Sequence, residues 1–302
     1  TLYLYADANN GCIFMQTAAI CLFDNKKGND PMKNINEKKI GMVGFGHLGS
    51  SIAEALIKGG FPKSNLMISY RGSRDTMDRV KGMEMESCVR DPEYLMKNSD
   101  IVILAARPQN IREIAQNHVR KDTLILSFMA ALPISALSSF FECRISRVMC
   151  SGPESISGGR GISALMPSDE DAHQFLRACG IREFCVKSED EIDAFTAGIC
   201  IPPILMNITV ATKERDAALD KMALRFPVYR ELSDWIEAEL ALSASKNNKK
   251  SLQNVSTKGG VSEAMVSALL NGSSFLSSVE RGIERCAELR SELCKNLAVK
   301  AA

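Results

Sequence analysis

The sequence predicts an α/β domain followed by an all-helical second half. Short apolar runs alternate with helical patterns between residues 39 and 188, which indicates a mainly parallel sheet with helices on both faces. After residue 188 the strand signals stop, and only helical periodicity continues. The chain has 302 residues, 45% hydrophobic and 24% charged. This composition gives enough apolar surface for two packed domains.

The elements follow in order along the chain. Residues 1–38 are predicted as an N-terminal extension and linker, because their last part is polar and rich in Asn, Lys and Gly. Predicted strands lie at residues 40–43, 65–70, 101–105, 124–129 and 145–149. Predicted helices lie at residues 48–59, 91–98, 109–118, 133–140, 189–246, 261–271 and 276–300. An apolar face on the last helix comprises Val279, Ile283, Cys286, Leu293 and Leu297.

Charge and cysteine content exclude several functional classes. Lys and Arg total 37 against 36 for Asp and Glu, a balance that argues against a nucleic-acid binder. We find no apolar run of about 18–20 residues, so a membrane span is not expected. The ten cysteines lack zinc-type spacing, so no metal site is expected, and scattered thiols are typical of a reducing, cytoplasmic compartment.

A glycine-rich motif follows the first predicted strand. The segment from Gly44 to Gly49 has the pattern G-x-G-x-x-G and opens an amphipathic helix, the context in which this pattern binds a dinucleotide. Gly44 permits the turn, Gly46 admits the pyrophosphate, and Gly49 lets helix and strand pack closely. His47 and Leu48 lie at the helix start, where backbone N–H groups attract phosphate. The alternatives are glycines that serve packing alone and a His47 that only faces solvent.

The end of the second strand predicts NADP rather than NAD. An NAD-binding domain usually places an acid there for the ribose 2′-hydroxyl, but the first acid in this sequence is Asp75. Instead, Ser69, Arg71 and Arg74 provide a hydroxyl and two guanidinium groups suited to a 2′-phosphate. The alternative is a basic surface loop without a ligand.

These motifs together resemble the pyrroline-5-carboxylate reductase family over about residues 39–300. Residues 39–46 and 68–71 are similar to the family's first strand with its glycine loop and to its 2′-phosphate segment. Residues 147–149, 193–197 and 256–262 resemble an Arg-Val-Met segment, a second-domain motif and the substrate loop. A further segment resembles the family's Val-Lys-Pro-Gln loop and adds four candidate cofactor residues, Ala106, Arg107, Pro108 and Gln109.

The resemblance implies a Rossmann-type dinucleotide-binding domain at residues 39–188. It also implies a helical substrate and dimerisation domain at residues 189–302. The implied activity is NADPH-dependent reduction of a cyclic imine by hydride transfer, with 1-pyrroline-5-carboxylate reduced to proline in amino-acid biosynthesis. A homodimer or a higher homo-oligomer is expected, with a small imino acid as the only other partner.

The resemblance also assigns the substrate residues. Ser262 is expected to bond the ring nitrogen, and Lys258 with the N–H groups of Gly259 and Gly260 to hold the carboxylate. The alternative is an ordinary helix start with Ser262 as its cap.

Residues 150–152 and 198–203 depart from the family pattern. They leave two other functions open: a reductase of another imino or keto acid, and a non-catalytic NADP-binding protein.

Overall fold

The computed structural model describes residues 34–246 and 258–299. Residues 1–33 of the predicted extension lie outside these ranges, as do Ser256 and Thr257 of the predicted substrate loop. Within the described residues, the strands are β1 (Ile40–Val43), β2 (Leu66–Ser69), β3 (Ile101–Leu104), β4 (Leu124–Ser127), β5 (Arg144–Cys150), β6 (Ile162–Met166) and β7 (Arg182–Cys185). They form one sheet in the order β2-β1-β3-β4-β5-β6-β7.

The helices of the first half alternate with these strands, and those of the second half follow one another directly. The first group is α1 (His47–Lys58), α2 (Arg74–Gly82), α3 (Pro92–Asn98), α4 (Ile111–Ile114), α5 (Ile134–Ser138), α6 (Pro153–Ser157) and α7 (Glu170–Ala178). The second group is α8 (Glu189–Ile199), α9 (Ile201–Leu205), α10 (Thr212–Arg225), α11 (Val228–Lys246), α12 (Val261–Leu270) and α13 (Phe275–Val299).

The predicted fold class is confirmed, with corrections in detail. The five predicted strands correspond to β1–β5, but β6 and β7 were missed, and β6 runs antiparallel to β5. The direction reverses because residues 151–161 return to the same edge, where the Ser151 N–H donates to the Ile162 carbonyl at 2.9 Å. A parallel partner would need a longer crossover.

The helix predicted at residues 109–118 is wrong in length. The structure has a 3-10 turn at Pro108–Asn110 and then only α4. The Asn117 side-chain amide donates to the Ile114 carbonyl at 2.9 Å, which takes the acceptor that a further helical turn would use.

Three hydrophobic clusters form the core. Two cover the faces of the sheet, because alternate residues of the buried strands point to opposite sides, as Met42 and Val43 do. The third lies among the helices of the second half and includes Ile162 and Phe184 from the last two strands. The helical half is therefore packed against the β6–β7 end of the sheet.

Helix α13 contributes to two of these clusters. Phe275 and Val279 lie in the helical cluster, and Leu293 lies in a cluster on one face of the sheet. Of the apolar face predicted for this helix, Val279, Cys286 and Leu293 are buried, and Ile283 and Leu297 are half-buried. The domain boundary at residue 188 stays a prediction, although every described strand ends at or before Cys185. Among the described residues, no helix has the length and apolar character to cross a bilayer.

Candidate dinucleotide and substrate site

The carboxyl ends of the neighbouring parallel strands β1, β2 and β3 meet at one edge of the sheet. The Gly44 N–H donates to the Ser69 carbonyl, and the Ala105 N–H donates to the Val43 carbonyl, both at 2.9 Å. Because β1 lies between β2 and β3, the chain direction along the sheet switches at this point. In open α/β sheets such a switch point creates the crevice in which ligands bind.

The three glycines of the motif have different surroundings. Gly44 has φ +100°, and a Cβ atom there would lie 2.6 Å from the Ala106 nitrogen. A Cβ atom on Gly49 would lie 2.2 Å from the Gly44 carbonyl oxygen. A Cβ atom on Gly46 would meet nothing within 4 Å. Packing therefore explains Gly44 and Gly49, whereas Gly46 has open space in front of it.

This open space suits a pyrophosphate. Gly46 is the N-cap of α1, so His47 and Leu48 begin the helix with N–H groups that have no acceptor within it. Such a helix start attracts an anion, and a side chain at Gly46 would block its approach. The residues present thus fit a dinucleotide.

His47 is exposed, and its Nε2 lies 2.7 Å from Arg79 Nη2 of α2. Arg79 was not among the predicted residues because it lies 32 positions further along the chain. The contact adds a third guanidinium group to the basic side of the crevice.

The predicted 2′-phosphate residues follow β2 directly. Ser69 is buried at the strand end, while Arg71 and Arg74 are exposed. Gly72 has φ +78°, and the Ser73 hydroxyl accepts from the Thr76 N–H to cap α2. Arg74 is therefore the first residue of that helix.

An acid from a distant segment of the chain also reaches this loop. Arg71 Nη2 forms an ion pair with Glu113 Oε2 of α4, and both side chains are exposed.

The loop after β3 lies next to the glycine motif. Ala106 is the residue whose nitrogen faces Gly44, and Pro108 opens the 3-10 turn. The Asn110 N–H donates to the Arg107 carbonyl at 2.9 Å, which closes the turn and leaves the Arg107 and Gln109 side chains exposed. The structure thus brings the predicted cofactor residues together around a single crevice.

The predicted substrate residues form a second group at the start of α12. Lys258 and Gly259 are exposed, and Gly260 is the N-cap of the helix. The Gly259 N–H donates to the Glu263 carboxylate at 2.6 Å, so a bound anion would have to replace this acid. On the other side, Arg285 Nε of α13 donates to the Gly259 carbonyl at 3.0 Å. Gly259 is therefore held through both its N–H and its carbonyl.

Ser262 is the second residue of α12 and does not cap it, so that alternative is wrong. Its hydroxyl instead hydrogen-bonds the thiol of Cys200, the residue after α8. Burial raises the pKa of the Cys200 thiol, and burial raises that of Cys150 to about 12. Neither thiol is suited to act as a thiolate nucleophile.

Four charged residues connect the sheet to the helices. Arg147 of β5 is 2% exposed and forms an ion pair with Glu189 of α8, whose other oxygen accepts from the Ile134 N–H at 2.9 Å. Arg290 of α13 lies 3.1 Å from an oxygen of Asp193, which is 4% exposed.

The pKa values of this buried cluster are displaced. Burial raises the pKa of Asp193 to about 6, more than Arg290 and Arg147 can lower it. Burial also lowers the pKa of Arg147 to about 10. The cluster was missed because Arg147 and Arg290 are far in sequence from the two acids of α8. The signal available in the sequence was Arg147, a charged residue within an apolar strand.

Comparison with known proteins agrees with this geometry. A family model described as "NADP oxidoreductase coenzyme F420-dependent" matches residues 39–131, the part that contains the glycine loop and the basic loop. A crystal structure of Plasmodium falciparum pyrroline carboxylate reductase with NADP bound superposes with a TM-score of 0.52 at 18% identity, covering 85% of this chain and 98% of the other. The family model supports an oxidoreductase of the NADP-dependent class.

The sequence relatives give a more particular likeness. Pyrroline-5-carboxylate reductase 2 of Bacillus subtilis is 23% identical over 272 residues, which is 84% of this chain and 96% of that protein. The chain is thus similar to pyrroline-5-carboxylate reductases over most of its length.

The fold does not select the substrate. Plasmodium falciparum glycerol-3-phosphate dehydrogenase also superposes with a TM-score of 0.52, at 12% identity and with 84% and 86% of the two chains covered.

Proposed function

We propose that this protein uses NADPH to reduce a cyclic imine, and that 1-pyrroline-5-carboxylate, reduced to proline, is its substrate. The observation that carries the cofactor part is the open space before Gly46, flanked by closely packed Gly44 and Gly49. The substrate part rests on the family and on the arrangement around Ser262.

In this proposal the residues of the crevice bind the dinucleotide. The helix start at Gly46, His47 and Leu48 takes the pyrophosphate, and Arg71 and Arg74 take the 2′-phosphate. When bound, NADPH supplies a hydride from C4 of its nicotinamide ring.

The remaining chemistry needs little from the protein. A protonated imine is already electrophilic, so the chain has to position the ring and neutralise its carboxylate. The Ser262 hydroxyl accepts a hydrogen bond from the protonated ring nitrogen. The N–H groups of Gly259 and Gly260 and the Lys258 ammonium hold the carboxylate, once Glu263 has turned away from the Gly259 N–H.

A second reductase activity remains a candidate because residues 198–203 depart from the family pattern. Ile201 and Pro202 are buried in this segment, where the family has small hydroxyl residues. This change next to Cys200, whose thiol bonds Ser262, favours a different imino or keto acid as the substrate. The homodimer and the cytoplasmic location remain predictions, as does the non-catalytic alternative.

The test is the initial rate of NADPH oxidation, followed by absorbance, with and without racemic 1-pyrroline-5-carboxylate. We expect a substrate-dependent rate that Ser262→Ala lowers at least tenfold in kcat/KM, with NADPH affinity unchanged. Ser267→Ala, a substitution on the same helix away from its start, is the matched control. Full activity in Ser262→Ala would remove Ser262 from the site. NADPH binding without turnover on imines or keto acids would favour the non-catalytic alternative.

A further inference from the structure

Glu113 lies where the sequence alone predicts no acid. The segment after β2 lacks an acid before Asp75, and this absence was the basis for predicting NADP. The fold nevertheless brings Glu113 from α4 into an ion pair with Arg71. A carboxylate is thus present beside the guanidinium group proposed for the 2′-phosphate, and it comes from a different element.

The backbone of Glu113 is anchored. Its neighbours Ile111 and Ile114 are buried in the cluster on one face of the sheet. Arg112 donates to the Leu297 carbonyl near the end of α13. Helix α4 therefore cannot move away easily, and only the side chain of Glu113, 63% exposed, is able to turn.

The two forms of the cofactor interact differently with this pair. A 2′-phosphate competes with Glu113 for Arg71 and is repelled by the carboxylate if both stay. A ribose 2′-hydroxyl, in contrast, can donate a hydrogen bond to a carboxylate. We propose that Glu113 is a specificity residue, which weakens the preference of the site for NADPH over NADH. This proposal rests on the proposed cofactor site.

The size of the effect follows from the exposure of the pair. An ion pair between exposed side chains contributes little free energy, so its loss when the 2′-phosphate takes Arg71 costs little binding affinity. Removing the repulsion between the Glu113 carboxylate and the 2′-phosphate adds a comparable amount. We therefore expect Glu113→Gln to tighten NADPH binding by about three- to tenfold. NADH binding should stay unchanged or weaken. The increase in NADPH affinity caused by Glu113→Gln should become smaller as the ionic strength rises.

The experiment measures dissociation constants of NADPH and NADH by calorimetry, without any substrate. Glu142→Gln is the matched control, because Glu142 is also exposed and its carboxylate lies 3.6 Å from Lys121 in a surface ion pair. Arg71→Gln combined with Glu113→Gln completes the design. The inference predicts that removing Glu113 no longer tightens NADPH binding once Arg71 is absent.

The outcomes are distinguishable. If Glu113→Gln binds NADPH no more tightly than Glu142→Gln does, the inference is overturned and the cofactor site stands. An equal gain in the absence of Arg71 also overturns it, because Glu113 would then act as a general charge. If the wild-type protein binds neither dinucleotide, the proposed function fails, and this inference fails with it.

Discussion

Replacing Asp193 by Asn should make the stability of this protein less sensitive to pH. Asp193 is buried between two arginines, and burial raises its pKa from the usual 3.8 to about 6. Between pH 3.8 and about pH 6, the Asp193 carboxyl is therefore protonated in the folded state and ionised in the unfolded state. Stability falls as pH rises through this window, because the anion is costlier in the folded state.

The magnitude follows from the two pKa values. The difference between 3.8 and about 6 corresponds to about 3 kcal/mol in total, at 1.36 kcal/mol per pKa unit. Between pH 4.5 and pH 7.5, about 2 kcal/mol of this is expressed. Asn cannot ionise, so the variant should gain about 2 kcal/mol relative to the wild type over that range.

The assay is urea unfolding at both pH values, followed by the fluorescence of Trp235. This is the only tryptophan, it is 7% exposed, and its indole N–H donates to the Arg160 carbonyl at 3.0 Å. The control is Asp190→Asn, since Asp190 also pairs with Arg290 at 3.1 Å but is 76% exposed. A difference between wild type and Asp193→Asn that does not change with pH would refute the reasoning. It would mean that the arginines keep Asp193 ionised throughout.

Two further predictions concern the site. Gly46→Ala should weaken NADPH binding at least tenfold, because the added methyl group would fill the space proposed for the pyrophosphate. The melting temperature should not change, because no protein atom lies within 4 Å of that methyl group. Gly82→Ala, at the far end of α2, has equally open surroundings and should change neither quantity. Arg285→Ala should raise the KM for the imine several-fold with little change in NADPH affinity, because it frees the Gly259 carbonyl. Arg285→Lys should restore part of the loss, and Arg281→Ala, which removes another partner of Glu288 on the same helix, should leave KM unchanged.

The cofactor half was predictable because its signals are local. Strand β1, the glycine turn and α1 are adjacent in sequence, and each glycine has a defined steric reason. The final helix was predictable from its periodicity, since Val279 and Leu293 recur on one face over several turns.

The missed parts depend on the surroundings rather than on local sequence. Strand β6 is buried along most of its length, so it lacks the alternation that marks a half-exposed strand. Strand β7 is a short edge strand whose Arg182 and Glu183 resemble a loop.

The pairing of Glu113 with Arg71 and the position of Asp193 between two arginines were also missed. In both cases the sequence shows ordinary charged residues, and only the tertiary structure determines which charges meet.

Helix α13 has a mechanical consequence for the chain. Its 25 residues extend over about 37 Å, and they are anchored at one end in the helical cluster and near the other against the sheet. A hinge confined to the loop before α8 would therefore not separate the two halves. Separating the two halves requires α13 to bend or to lose its contacts around Leu293. Motion should thus be confined to the loops and side chains at the carboxyl ends of the strands and at the start of α12.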